Sequence, residues 1–287
     1  MLKAGSAGHA EPASLDDYMK QPRHEADATI HYGSAPSQVV ELFLPKGGGL
    51  HPVVVLLHGG CFQKHLEGFA QTSAIAADLA ARGYAVWNVE YRKLGEPGAG
   101  YPGTFEDVAT AVDRLYVEAP KRDLDLRRVV AVGHSAGGHL ALWAASRAKL
   151  PTGSPLRTAK PLRIAAVISL GGIGDLEGQG PAFALPCGAD TIERLVGTKR
   201  RKAPFVDTSP AELLPIGVKV VLVHGVYDHV LPPYIGRDYA EKARKAGDAA
   251  EVVVLPDAGH FDLVIPTTRA WAAINGILDR EMKGLTH

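Results

Sequence analysis

Val129-Val130-Ala131-Val132-Gly133-His134-Ser135-Ala136-Gly137-Gly138-His139 is the stretch that decides how this chain is read. Its opening run is apolar and β-branched, the pattern of a strand covered on both faces. A Gly-X-Ser-X-Gly turn follows, and an alanine-rich helical pattern begins at Ala136. A serine in such a turn is held in strained backbone where neighbours with a Cβ would clash, so glycines flank it and its hydroxyl stands above the sheet edge. The first N–H groups of the next helix point at any negative charge that develops beside it. Ser135 is therefore a candidate nucleophile, and it needs a base to take its proton.

Working outward, the same alternation fills the chain. Further strand-like runs occur at 38–44, 52–58, 85–91, 164–170, 218–224 and 251–255, with a shorter one at 29–32. Between them lie helix-length patterns at 69–82, 104–118, 136–149, 233–246 and 267–283, with apolar residues three and four apart, such as Ile75 and Leu79 or Val108, Val112 and Leu115. This order predicts an α/β domain with a mostly parallel sheet of about eight strands and helices on both faces. Gly33, Ser34, Ala35 and Pro36 separate the first two runs and predict a hairpin that opens the sheet. Residues 1–28 carry no periodicity and read as a loose arm with little chemistry, ordered only where it lies on the body. Residues 29–287 read as one domain, interrupted at 171–217 by a stretch too long for a plain connection, which predicts a small helical cap. A basic cluster inside it, Lys199, Arg200, Arg201 and Lys202, reads as a solvated face.

Composition sets the outer limits. At 287 residues the chain has room for two ordinary domains or one large one, and 31 basic residues balance 31 acidic ones. That balance favours neither nucleic acid nor an anionic membrane surface. No apolar run approaches the roughly 20 residues of a membrane helix. Two cysteines, Cys61 and Cys187, exclude a disulfide framework and a four-cysteine metal site while leaving a single bridge open. Together with an N-terminus that lacks an apolar leader, the scarcity of cysteine suggests a reducing, cytoplasmic setting. The oddity is 32 glycines and 12 histidines.

In an open α/β sheet ligands bind at the carboxyl ends of the strands, and there the histidines collect. His224-Gly225-Val226-Tyr227-Asp228 follows one strand and Asp257-Ala258-Gly259-His260 follows the next. The order Ser135, Asp228, His260 is that of a hydrolase triad in which His260 is the base and Asp228 holds its tautomer. Asp257 and Asp262 compete for the acid role but lie too close to His260 in the chain to come from a separate strand end. Upstream, His58-Gly59-Gly60-Cys61-Phe62 follows a strand, so that backbone N–H groups of Gly60 and Cys61, with that of Ala136, could cradle an oxyanion. His58 reads as a structural hydrogen-bonding residue. Phe62, His134 and Tyr227 are candidate walls of a substrate pocket, and Phe183 a further one.

On these motifs the chain resembles the α/β-hydrolase superfamily over residues 30–283. More narrowly, His58-Gly59-Gly60 with Gly133-His134-Ser135-Ala136-Gly137 is similar to the hormone-sensitive-lipase-like esterases, the kynurenine formamidases and the prolyl-oligopeptidase-like hydrolases. Where the lipase-like esterases usually carry a third glycine this chain has Cys61, and the following Phe62 matches the aromatic position of the formamidases, usually Trp. The resemblance implies a serine hydrolase that cleaves a small carboxylic ester through an acyl-enzyme, without metal or cofactor. An arylformamidase or amidase is the alternative, because both reactions pass through the same tetrahedral intermediate. A small peptidase and a non-catalytic binding protein on the same fold are further readings. The partner expected is a small ester or amide, and no oligomeric state is legible.

Overall fold

The computed structural model describes residues 11–65 and 68–285. Its strands are β1 (Ala28–His31), β2 (Val39–Phe43), β3 (His51–Leu57), β4 (Ala85–Val89), β5 (Leu124–His134), β6 (Ala166–Leu170), β7 (Lys219–Gly225) and β8 (Ala250–Leu255). They form one eight-stranded sheet in the order β1-β2-β4-β3-β5-β6-β7-β8. β1 and β2 are an antiparallel hairpin, β2 is antiparallel to β4, and every later pairing is parallel.

The helices are α1 (Leu15–Met19), α2 (Ser73–Ala81), α3 (Gly103–Asp113), α4 (Leu115–Glu118), α5 (Ala136–Ser146), α6 (Gly180–Cys187), α7 (Thr191–Val196), α8 (Pro233–Lys245) and α9 (Arg269–Lys283). Alternation along β3 explains the two layers they form. Val53, Val55 and Leu57 pack into a core with Phe105 and Val108 of α3, Leu140 and Trp143 of α5 and Tyr239 of α8. Val54 and Leu56 face the other core, with Ile75 and Leu79 of α2 and Trp271, Ile274 and Leu278 of α9. Both faces of the sheet are thus covered, which is why the strands are apolar throughout.

The helical pattern at 69–82 starts late, at Ser73. Thr72 Oγ1 donates to Phe69 O and to Asn88 Oδ1, and Asn88 Nδ2 donates to Phe69 O, so β4 holds the preceding residues as a turn. The pattern at 104–118 divides into α3 and α4 at Arg114.

Topology positions the site. The chain runs from β3 to its neighbour β4 and then crosses to β5 on the other side of β3, so a switch point lies between β3 and β5. Strand ends are in register there: Leu57 pairs with Gly133, His134 with Leu170, Leu170 with Val223, and Gly225 with Leu255. The loops after β3, β5, β7 and β8 therefore open at one level.

Candidate active site

Ser135 lies between β5 and α5 with φ 53° and ψ −118°. The conformation is held by close backbone contacts. Ser135 N donates to Leu170 O at 2.8 Å, and a Cβ on Gly137 would sit 2.1 Å from Leu57 O, so only glycine lets α5 pass that close to the end of β3. Ser135 Oγ makes no hydrogen bond to another described residue.

Asp228 and His260 meet from adjacent strand ends. His260 Nδ1 lies 2.7 Å from Asp228 Oδ2, and the other carboxylate oxygen accepts from the N–H groups of Val230 (2.9 Å) and Leu231 (2.7 Å). Both side chains are buried, and the fixed carboxylate leaves Nδ1 to carry a proton and Nε2 free to accept one. Gly171, just past β6, makes the contact possible. Its φ is +52°, and a Cβ there would lie 2.9 Å from His260 Nδ1 and 3.0 Å from Asp228 Oδ2. Asp262 does different work: its Oδ2 accepts from Gly259 N and from Ala13 N.

Histidines at the other strand ends brace the loops from beneath. His134 Nε2 is 3.1 Å from the carbonyl oxygen of His260 and donates to it, with the two rings 4.5 Å apart. Burial holds the His134 ring well below the usual imidazole range, so it stays neutral beneath His260. His224 Nδ1 donates to Leu231 O, steadying the Asp228 loop, and burial lowers its basicity too. His58 has Nε2 at 2.8 Å from Glu90 Oε1 and Nδ1 at 2.9 Å from Gly59 O, two acceptors on one ring. Burial alone would raise the Glu90 carboxyl, but the His58 ring and the Lys93 ammonium at 2.9 Å hold it down to about 2.

The loop after β3 turns through three successive left-handed residues, Gly60 (φ 91°), Cys61 (φ 53°) and Phe62 (φ 58°). For Cys61 and Phe62 this costs about 1–3 kcal/mol each, which surrounding contacts must offset. The N–H groups of Gly60 and Cys61 donate to no other described residue, and Ala136 N–H, at the first position of α5, lies outside the intrahelical ladder. These donors can receive an anion.

Cys61 is bridged to Cys187 at the end of α6, with 5.4 Å between the Cα atoms. The single bridge that the sequence left open is formed. Such bonds persist in oxidising surroundings, so it weighs against the reducing setting inferred from cysteine scarcity. Among the described residues no helix is long and apolar enough to cross a membrane, and no group of three or more His, Cys, Asp or Glu side chains could hold a metal.

Of the expected pocket walls, Phe62 and His134 are placed otherwise. Both are buried, Phe62 against Phe183 and His139 and His134 beneath His260, so neither presents surface to a ligand; Phe183 is likewise core. The sequence pattern marks an aromatic beside a motif but not the side of the loop it faces. Tyr227 is 41% exposed on the Asp228 loop and stays available. Arg201 departs from the solvated reading of the basic cluster: it stacks 3.6 Å over the Tyr101 ring and pairs with Asp207, whereas Lys199 is exposed and pairs with Glu193.

The arm, described from residue 11, is packed rather than loose. Ser14 and Asp17 form a capping box that starts α1, and Tyr18 is buried, stacked on Phe261 and edge-on to His134. With the bond from Ala13 to Asp262 it supports the His260 loop. Residues 1–10 of the expected arm lie outside the described residues. The Ser14-Leu15-Asp16-Asp17 capping signature was a usable sign of that helix, but its destination was not written locally.

Known proteins are similar to this chain in sequence and in fold. The isoprenylcysteine alpha-carbonyl methylesterase of Arabidopsis thaliana is 26% identical over an alignment of 255 residues that covers 83% of this chain and 57% of that protein. The chain thus spans little more than half the length of that relative. Esterase B from Lactobacillus Rhamnosis superposes with a TM-score of 0.77 at 18% identity, covering 94% of this chain and 90% of the other. An esterase from the planctomycete Thermogutta terrifontis, solved with propionate bound, superposes with a TM-score of 0.73 at 20% identity, covering 90% of this chain and 94% of that one. The family model described as BD-FAE matches residues 40–242, from β2 through the Ser135 turn and residues 171–217 into α8, and the chain therefore belongs to the BD-FAE family of α/β-hydrolase esterases.

Proposed function

We propose that this chain hydrolyses small carboxylic esters through a triad of Ser135, His260 and Asp228. The observation that carries the reading is the 2.7 Å contact between Asp228 Oδ2 and His260 Nδ1, made beside the strained Ser135 turn. Ser135 Oγ attacks the ester carbonyl while His260 Nε2 takes its proton, and Asp228 holds the ring and balances the imidazolium. The carbonyl oxygen becomes an oxyanion that the N–H groups of Gly60, Cys61 and Ala136 receive. His260 returns the proton to the leaving alcohol. Water, deprotonated by the same ring, then releases the acid and restores the serine.

Esters are favoured over amides by the family, and the plant relative is by its name a methylesterase. Residues 171–217 would act as a cap on the hydrolase domain 29–287, and Tyr227 would stand at the edge of the substrate site. The disulfide favours an oxidising compartment over the cytoplasm.

The test compares wild type with Ser135→Ala on alkyl acetates, aryl acetates and N-formylkynurenine. Turnover of the best ester should fall by about 10⁴-fold or more in the variant. Near-normal turnover by Ser135→Ala sinks the triad. A wild type that hydrolyses only the formylated amine replaces the esterase reading with the arylformamidase one.

A further inference from the structure

The loop that carries two of the proposed oxyanion donors is fastened to the cap at consecutive residues. Cys61 is disulfide-bonded to Cys187. Phe62 packs on Phe183, ring centroids 5.7 Å apart. Gln63 Nε2 donates to Cys187 O at 2.7 Å and to Thr191 Oγ1 at 3.0 Å. Each fastening is of a different kind, and all end on α6 or at the start of α7. The backbone they fasten is the left-handed run from Gly60 to Phe62, a conformation that Cys61 and Phe62 do not adopt unaided.

The loop has other supports on the scaffold side, among them His58 Nδ1 at 2.9 Å from Gly59 O. Gln63 N donates to Gly60 O and Leu94 N donates to Phe62 O; because a peptide unit is planar, the first bond also steadies Cys61 N–H, while the N–H groups of Gly60 and Cys61 themselves donate to no other described residue. Their direction depends on the torsions at Gly60 and Cys61. The Cys61 side chain is the lever on those torsions, and its far end is Cys187.

We propose that Cys187 is a positioning residue for the oxyanion hole: through its bridge to Cys61 it locks the donor N–H groups, and reduction of the bridge loosens them. This rests on the proposed triad and oxyanion donors. It makes turnover respond to the thiol–disulfide balance without any change at Ser135, Asp228 or His260. The co-reactant is a dithiol. It gives up two electrons and two protons and closes to its own cyclic disulfide, while the Cys61 and Cys187 sulfurs each take one electron and one proton and become thiols.

The experiment reduces the full chain with dithiothreitol under native conditions and confirms two titratable thiols per chain. It then measures kcat and KM on the best ester, together with the affinity of a trifluoromethyl ketone, whose adduct with a serine bears an oxyanion. Expected are a fall in kcat of about tenfold or more, a matching loss of ketone affinity, little change in KM, and recovery on reoxidation; complete removal of one donor typically costs about 10²–10³. Cys187→Ser should start at the reduced level and ignore dithiothreitol.

Reduced protein with unchanged kcat and unchanged ketone affinity overturns the proposal. If circular dichroism shows that reduction or Cys187→Ser unfolds the chain, Gln63→Ala takes their place, since it cuts the same fastening with the disulfide intact. It should lower kcat and ketone affinity together, and no change in either overturns the proposal. Ser135→Ala is run beside them. If it abolishes turnover while reduction has no effect, only the role of Cys187 falls; if it keeps turnover, the triad falls and takes this proposal with it.

Discussion

Two strained turns face each other across the site, and they are held in different ways. The Ser135 turn is locked from within: Gly137 lies where a side chain would strike Leu57 O, and Ser135 N is tied to the adjacent strand end at Leu170 O. The 60–63 loop keeps left-handed torsions at Cys61 and Phe62, neither of them glycine, and is tied by a disulfide, an aromatic contact and the bond its Gln63 amide donates to Cys187 O, all to residues more than a hundred positions away. Local fixing by glycine is rigid and close to unconditional. Fixing by distant side chains is adjustable, because it lasts only while α6 and α7 stay where they are.

The contrast can be broken most severely at Gly137. Gly137→Ala places a methyl 2.1 Å from the Leu57 carbonyl oxygen, and backbone on both sides must move. Turnover should fall by a hundredfold or more and stability by about 3 kcal/mol, read by ester kinetics and denaturant unfolding. A variant with wild-type kcat would show that the turn is not locked by that approach.

A smaller effect should follow at the outer support. Phe183→Ala removes a buried ring beside Phe62, which typically costs about 3–5 kcal/mol of stability. Its kcat should fall about tenfold with KM nearly unchanged, since the displaced donors act on the transition state. A large rise in KM with kcat preserved would place α6 in substrate binding instead.

The smallest effect is confined to acid. His139, on α5, is edge-on to Phe62 and donates from Nε2 to Thr208 O at 2.8 Å, so it ties the 171–217 segment to the scaffold. Burial depresses its ring to about 4, outweighing the carbonyl that favours the charged form. The folded chain therefore keeps His139 neutral down to about pH 4, while the unfolded chain protonates it near 6.5. The unfolded state binds more protons between those values, so this contribution to stability is whole above about pH 6.5 and is lost as the pH falls toward 4, by about 3 kcal/mol there. His134 and His224 are depressed by burial as well and act in the same direction. His139→Gln should flatten the dependence of unfolding free energy on pH over that window and leave turnover at neutral pH near wild type. An unchanged slope would mean that His139 is not the group that titrates.

Recognition in the sequence followed the same division. The α/β alternation, the hairpin at the sheet edge and the Ser135 turn were legible because each follows from neighbours a few residues apart: apolar period, turn glycines and helix-length spacing. Asp228 and His260 could be placed after β7 and β8 because parallel strands in register end at a common level. Tyr18 under the His260 loop was not legible, since a five-residue helix with one buried ring carries no periodic signal. Nor was the inward direction of Phe62 and His134, because the side of a loop is set by torsions that only the assembled surroundings impose.

What the sequence by itself determined is thus the frame and where its polar residues fall on it: a serine on a glycine turn, an acid and a histidine at later strand ends, and a sheet buried on both faces. Tertiary structure alone decided how the second turn is held. Cys61 and Cys187 are 126 positions apart, and nothing in their local sequence says whether they meet. Short-range steric rules are written residue by residue, whereas a long-range contact exists only once the intervening chain has folded and brought α6 against the loop.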